Sequence, residues 1–159
     1  MSEQSVQEVA LRVALERAIA RKSDEYDRRA REYAAQLTRT KLDKTQVRGL
    51  ETLAITTDKV SDIIDWLKLR VGRDSGRERW AKEGIGRDLV NELEWLREDA
   101  RKIVEDARKI VDELRGGEHT AFAQTVDPDL ERQVHLRLCR EFLKHLTAHF
   151  EYLKAERER

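Results

Sequence analysis

Four residues of the kind that ligate metals, His135, Cys139, His145 and His149, fall close together near the end of the chain. His135 and Cys139 are four positions apart, as are His145 and His149, so on a helix each pair could chelate one ion from one face. The pairs stand ten positions apart, roughly 15 Å of helical rise, so one tetrahedral ion cannot recruit all four. Cys139 also falls in an apolar seam, where a cysteine behaves as a small hydrophobe. The reading is a core cysteine beside partly exposed histidines, with no metal and no cofactor.

Acids offer a second chemistry. Glu92, Glu94, Glu98 and Asp99 could hold magnesium as the facing carboxylates of an all-α nucleotide pyrophosphohydrolase do. The EExxE and ExxD pattern of such enzymes is absent, as is any Glu-x-x-His pair of the di-iron kind. Arg97, Arg101 and Lys102 stand among these acids, the pattern of a solvated helix face. Nucleophilic catalysis has less support. The few serines lie near expected helix starts or loops, where capping explains them. Cys139 has no loop, glycine or helix start to lower its pKa. Gly84-Ile85-Gly86 is a weak phosphate-loop signal and reads as a break between helices. The expectation is a protein that is not an enzyme.

The bases are more informative, because they are unevenly spread. Residues 39–48 carry four bases (Arg39, Lys41, Lys44, Arg48) against one acid. Residues 66–87 carry seven (Lys68, Arg70, Arg73, Arg77, Arg79, Lys82, Arg87) against three. Residues 92–113 compensate with eight acids against five bases, so the zero net charge conceals a positive centre. On a helical path Lys41, Lys44 and Arg48 share a face, and Arg70, Arg73 and Arg77 align if the helix persists through Gly72. Such an array can hold phosphates by charge and bidentate hydrogen bonds without reading sequence. Trp66 and Trp80 lie nearby and either stack on bases or belong to the core.

The elements that must position these groups are helices. Apolar residues are 39% and charged residues 40% of the 159, which fits long amphipathic helices better than a thick α/β core. Val6, Val9, Ala10, Val13 and Ala14, then Tyr26, Ala30, Tyr33, Ala34 and Leu37, step by threes and fours. Ser2 or Ser5 caps the start; the polar 22–25 stretch either continues the helix or lets Ser23 cap a second one. Short helices follow, capped by Asp43 or Thr45 and by Thr57, the second ending at residues 72–76. Over 88–114 the seam Leu89, Leu93, Leu96, Ala100, Ile103, Ala107, Ile110, Leu114 is a heptad pattern, and EDARKIV occurs twice in succession. Gly116-Gly117 stops that helix, 118–126 is a loop, and Asp127-Pro128 opens the last helix. Its seam is Leu136, Cys139, Leu143, Leu146, Phe150 and Leu153, widened by Val134, Leu138 and Phe142.

The fold expected is all-α, a single domain of five or six helices. Residues 1–37 form an N-terminal helix or helix pair, 41–87 hold short basic helices, and 88–157 form a long antiparallel hairpin. Helical surface this regular also predicts contact with other subunits, including copies of the chain. No apolar run has the length of a membrane span. Glu8, Arg12, Glu16 and Arg17 interrupt what would be a signal peptide's apolar core, so a cytoplasmic location is expected.

Residues 41–80 are similar to the small helical subunits of type III CRISPR effector complexes. The matching features are Lys41-Leu42, then Thr45-Gln46-Val47-Arg48 opening a helix, then Gly72-Arg73-Asp74 ending a second helix, with Trp80 shortly after. The resemblance covers about a quarter of the chain and does not extend to the EDARKIV helix. It implies a non-catalytic helical bundle that stacks along a ribonucleoprotein groove beside neighbouring subunits and touches guide and target RNA through basic side chains. By the matched motifs, Lys41, Lys44, Arg48 and Arg73 would contact the RNA backbone. Arg70, Arg77 and Arg79 join them on local charge alone. The alternatives are a structural helical adaptor without nucleic acid and an all-α metal-dependent nucleotide hydrolase.

Overall fold

A computed structural model describes residues 2–114 and 128–158. The expected glycine stop at 116–117, the 118–126 loop and the Asp127 cap lie outside the described residues. Five α-helices make up the rest: α1 (Glu3–Leu37), α2 (Lys44–Thr56), α3 (Val60–Gly72), α4 (Ile85–Leu114) and α5 (Pro128–Arg157), with one 3₁₀ turn over Lys82–Gly84. The fold is an all-α bundle. Among the described residues no helix is long and apolar enough to cross a membrane.

α1 is one unbroken helix, capped by Ser2, whose hydroxyl accepts from the Ser5 amide. Ser23 therefore caps nothing. Instead it is buried in mid-helix, facing α5. Cross-helix pairs set the directions. Glu16, Ser23 and Asp27 of α1 meet Arg137, His145 and His149 of α5 in rising order, so those helices run parallel. Tyr26 and Tyr33 meet Asp99 and Asp88 of α4 in falling order, so α1 and α4 are antiparallel. α4 and α5 are antiparallel too, with Leu93 opposite His135 and Cys139 and Arg97 opposite Glu131. The long hairpin exists, but α1 is an equal third member of it rather than a helix laid against it. α2 packs on α5 and α3 on α4.

Small and large residues interdigitate at the centre. Ala30 and Ala34 are fully buried, and Phe142 lies between the rings of Tyr26 and Tyr33, 5.9 and 6.0 Å away. Alanine at these α1 positions lets the aromatic side chains occupy the space between helices. Burial pushes the Tyr33 hydroxyl up to about 12 and the Cys139 thiol likewise to about 12, so both stay protonated at neutral pH.

Two apolar stripes depart from expectation. On α4 the seam holds through Ala107, then Val111 is buried while Ile110 and Leu114 are 48% and 73% exposed. A helix of 3.6 residues per turn drifts off a strict seven-residue repeat by roughly 20° per heptad, and across four heptads that carries positions 110 and 114 out. On α1, Val6, Val9 and Val13 are exposed, and the inward side of those turns is Gln7 and Leu15.

Candidate nucleic-acid interface

The basic centre is built from the end of α1, α2, α3 and the loop that follows. Asp43 caps α2 in a reciprocal box: its carboxylate accepts from the Gln46 amide at 2.8 Å, and the Gln46 side chain accepts from the Asp43 amide at 2.9 Å. This box fixes Lys44 and Arg48 on the first turns of α2. Thr57, expected to cap α3, is instead the residue that closes α2; its hydroxyl binds Asp62 at 2.6 Å and accepts from the Lys59 amide.

α3 ends at Gly72, with Arg73 as its C-cap. The helix does not persist to Arg77, so Arg70, Arg73 and Arg77 do not form one helical row. Arg77 sits instead at φ 51°, in the left-handed region of the next turn. Asp74 organises that turn. Its Oδ2 accepts from the backbone amides of Arg79 and Ala81, both at 2.9 Å. Burial works to raise the Asp74 pKa, but donation from the amides of Ala81, Arg79 and Glu78 and the Arg79 charge outweigh it, holding the carboxyl below its usual range. A backbone bond from Lys41 N–H to Glu78 C=O, 2.8 Å, ties the turn to the α1–α2 connection.

Gly86 then lets α4 begin close to this turn. Its amide donates to the Trp80 carbonyl at 2.8 Å, and a Cβ there would lie 2.4 Å from that oxygen and from Val71 Cγ2. The Gly84–Gly86 pair is thus a junction that starts α4 one turn earlier than the periodicity indicates, with Gly84 at φ +75°.

The seven basic residues divide by partner. Lys41 pairs with Glu78, and Arg48 with Glu151 of α5. The Glu151 carboxylate raises the Arg48 pKa, first through its hydrogen bond and then through its charge. Lys41 stands in the connection before α2 rather than on the helical face of Lys44 and Arg48. Arg70 lies over Trp66, its guanidinium carbon 4.2 Å from the ring centroid. Lys44, Arg70, Arg73, Arg77 and Arg79 have no acid within ion-pair distance among the described residues. Three of these five, Arg70, Arg73 and Arg79, line a pocket of about 330 Å³ together with Thr45, Gln46, Gly49, Ser75 and the two tryptophans. Trp80 is 2% exposed and belongs to the core. Trp66 is half-buried and packs edge-on against Trp80, with centroids 5.7 Å apart and planes at 81°.

A larger groove of about 950 Å³ lies between the first halves of α1 and α5. Three of its four arginines are occupied: Arg137 forms a bidentate pair with Glu16, Arg132 pairs with Asp129, and Arg140 donates to backbone carbonyls at the end of α2, whereas Arg12 has no acid within ion-pair distance among the described residues. The smaller pocket is the one that gathers several arginines without an ion-paired acid, three against Arg12 in the groove.

The other chemistry-bearing residues are engaged. His135 Nε2 lies 2.8 Å from the Leu93 carbonyl, and Cys139 Sγ donates to the same oxygen at 3.7 Å. A carbonyl only accepts, so His135 carries its proton on Nε2. Among the acids, Glu92 pairs with Arg29, Asp99 accepts from Tyr26, Glu98 pairs with Arg101 and Glu94 meets Lys68. No three of the described His, Cys, Asp or Glu residues are arranged to hold a metal ion.

One constellation escaped the sequence reading. Ser23 Oγ lies 2.9 Å from His145 Nε2, and His145 Nδ1 lies 3.4 Å from Asp27 Oδ1, which also bonds His149 Nε2 at 2.8 Å. The hydrogen bond from His149 holds the Asp27 carboxyl below its usual range against the opposing effect of burial. The connectivity is that of a hydrolase triad, but Ser23 is buried in mid-helix. Main-chain amides there are committed to the helix ladder and cannot form an oxyanion hole. The signal in the sequence is the four-residue spacing of both Ser23–Asp27 and His145–His149, which places each pair on one helix face.

Comparison with protein-family models, with curated proteins and with solved structures finds no match to this chain.

Proposed function

We propose that the chain is a non-catalytic subunit of an RNA-guided ribonucleoprotein of the type III CRISPR kind, a cytoplasmic antiviral assembly. In this reading it grips the backbone of guide and target RNA through Lys41, Lys44, Arg48, Arg70, Arg73, Arg77 and Arg79. One observation carries the reading: Arg70, Arg73 and Arg79 line a single pocket with no acid within ion-pair distance of them among the described residues, on the stretch that resembles the family. Backbone contacts of this sort position a protein on nucleic acid without reading sequence.

The exposed row Val6, Val9 and Val13 supports the other half of the proposal, contact with a neighbouring subunit or a second copy. The same row also favours the second reading, a helical adaptor that binds only protein. The nucleotide-hydrolase reading has less support, since Glu94 and Glu98 each face a base of their own chain.

The test is RNA retention by Arg73→Glu with Arg79→Glu, both exposed positions, beside the unaltered protein. Far-UV circular dichroism should be unchanged and RNA affinity should fall. Affinity of the unaltered protein should also drop with salt, each lost phosphate contact reducing the logarithmic slope by roughly 0.7 to 0.9. RNA affinity equal to that of the unaltered protein, in a folded double variant, removes the proposal in favour of the adaptor.

A further inference from the structure

We infer that the pocket between α2, α3 and the 73–80 loop is a mononucleotide site, which takes one unpaired nucleotide of a bound strand. This rests on the proposed RNA contact and narrows it to one place and one ligand class. Three features of the pocket converge.

The first is size. At about 330 Å³ the pocket lies at the lower end of small-ligand sites, roughly 300 to 1,000 Å³, so it admits one nucleotide but not a duplex. The second is its aromatic wall. The Trp66 ring is held by its edge-on contact with buried Trp80, and the Arg70 guanidinium already covers it at 4.2 Å. A base entering the pocket can continue that stack on the outer face of the guanidinium, as planar bases do on arginine. The third is its charge. Arg73 and Arg79 are exposed, have no acid partner among the described residues and each present a fork of donors to a phosphate. Asp74 also lines the pocket, but its Oδ2 accepts from two backbone amides, which partly neutralises it and holds the loop that carries both arginines.

An inorganic phosphate would use the arginines and leave the aromatic wall empty. A nucleotide uses both. Thr45, Gln46 and Ser75 supply hydroxyl and amide groups at the same wall, so hydrogen bonds to any of the four bases can form and base selectivity should be weak.

Gly49 provides a test that leaves charge untouched. A Cβ there would stand 3.6 Å from Trp66 Cζ2, an ordinary contact, so larger side chains fill the pocket without striking backbone. The experiment titrates UMP and AMP into full-length protein carrying Trp95→Phe, which removes an exposed fluorophore outside the pocket, and follows tryptophan quenching. A single-stranded RNA is titrated in parallel, and circular dichroism checks folding.

The expected result is saturable quenching by both mononucleotides, weakened at least about tenfold by Gly49→Leu and by Arg70→Gln, as loss of a stacked or charge-assisted contact demands. Single-stranded RNA should still bind Gly49→Leu, more weakly, with its salt dependence retained. Absence of saturable quenching up to millimolar nucleotide while RNA still binds would overturn the pocket and leave the RNA proposal standing. Absence of RNA binding as well would overturn both. Quenching unaffected by both substitutions, or a phosphotyrosine peptide that binds more tightly than either nucleotide, would equally reject a nucleotide site.

Discussion

Arg140 on α5 closes the end of α2: its Nε donates to the Ala54 carbonyl at 2.7 Å and its Nη2 to the Thr57 carbonyl at 2.8 Å. The last carbonyls of a helix lack partners within it and carry partial negative charge, so a guanidinium there satisfies two acceptors and complements the dipole. Further along α5, Arg157 donates to the carbonyl of Thr38, the C-cap of α1, and Lys154 to the carbonyl of Leu42 in the α1–α2 connection. α5 is thus the strut that fixes the basic centre from behind. Arg140→Met keeps the apolar stem and removes both bonds. Hydrogen bonds to charged groups are worth about 1.5–3 kcal/mol, and we expect a loss of that order in urea unfolding. A midpoint unchanged within error would show that water replaces the guanidinium without cost.

Gly86 controls the other side of the basic centre. Adding a methyl group would place it 2.4 Å from the Trp80 carbonyl, which belongs to backbone and cannot swing aside as a side chain would. Gly86→Ala must push the 73–81 loop away from α4. Overpacking of this sort costs typically about 1–3 kcal/mol, against a gain of at most about 1 kcal/mol from better helix propensity. The melting temperature should therefore fall, and RNA affinity should fall with it, because the displaced loop carries Arg73 and Arg79. A stabilised Gly86→Ala protein would contradict the close approach.

His135 gives the molecule a pH dependence of defined sign. Burial lowers its pKa below the ordinary histidine value, opposed by its bond to the Leu93 carbonyl; of the charges that face it, Arg97 lowers the pKa while Glu131 and Glu94 raise it. A depressed histidine pKa means that the unfolded chain binds the proton more readily. Its contribution is complete above the unfolded value, about 6.5, and is lost as pH falls below that toward the folded value. His135→Gln keeps an N–H for Leu93 and removes the titration. Between pH 7.5 and 5.5 the unaltered protein should lose more melting temperature than the variant. Parallel curves would show that His135 does not titrate in this window. Asp27, Glu16 and Asp74, whose pKa values are lowered, contribute loss of stability only in more acidic solution, below about pH 4.

The helices were legible because burial on one face imposes a period, and that period survives in α4 and α5 almost residue for residue. Leu89 to Ala107 and Leu136 to Phe150 are buried at the positions the spacing indicates. The errors arise where a second body decides. Val6, Val9 and Val13 have the right spacing but are not covered within the described chain. Thr57 has the right chemistry for an N-cap but is held by Asp62 instead. Partners across the bundle carry no local signal: Arg48 and Glu151 are 103 positions apart, and Ser23 and His145 are 122 apart. The concentration of bases was readable as composition. Which of them keep their charge for a ligand depended on those distant acids, and so did the pocket, which needs α2, α3 and the loop to meet.

Those acids give a further prediction about Lys41 and Arg48. Both are more than half exposed and are paired with Glu78 and Glu151. Exposed ion pairs are worth about 0–1 kcal/mol, so either base can leave its acid for a phosphate at little cost. Glu78→Gln with Glu151→Gln removes the competition and two negative charges near the basic centre. If Lys41 and Arg48 contact RNA, affinity should rise by up to about fivefold for each pair released, the equivalent of the energy of one pair, and its dependence on salt should steepen. Stability should change little, since neither acid is buried. An affinity that stays the same at every salt concentration would confine RNA contact to the bases that have no acid partner, and Lys41 and Arg48 would then serve to hold the α1–α2 connection to the 73–81 loop and α2 to α5.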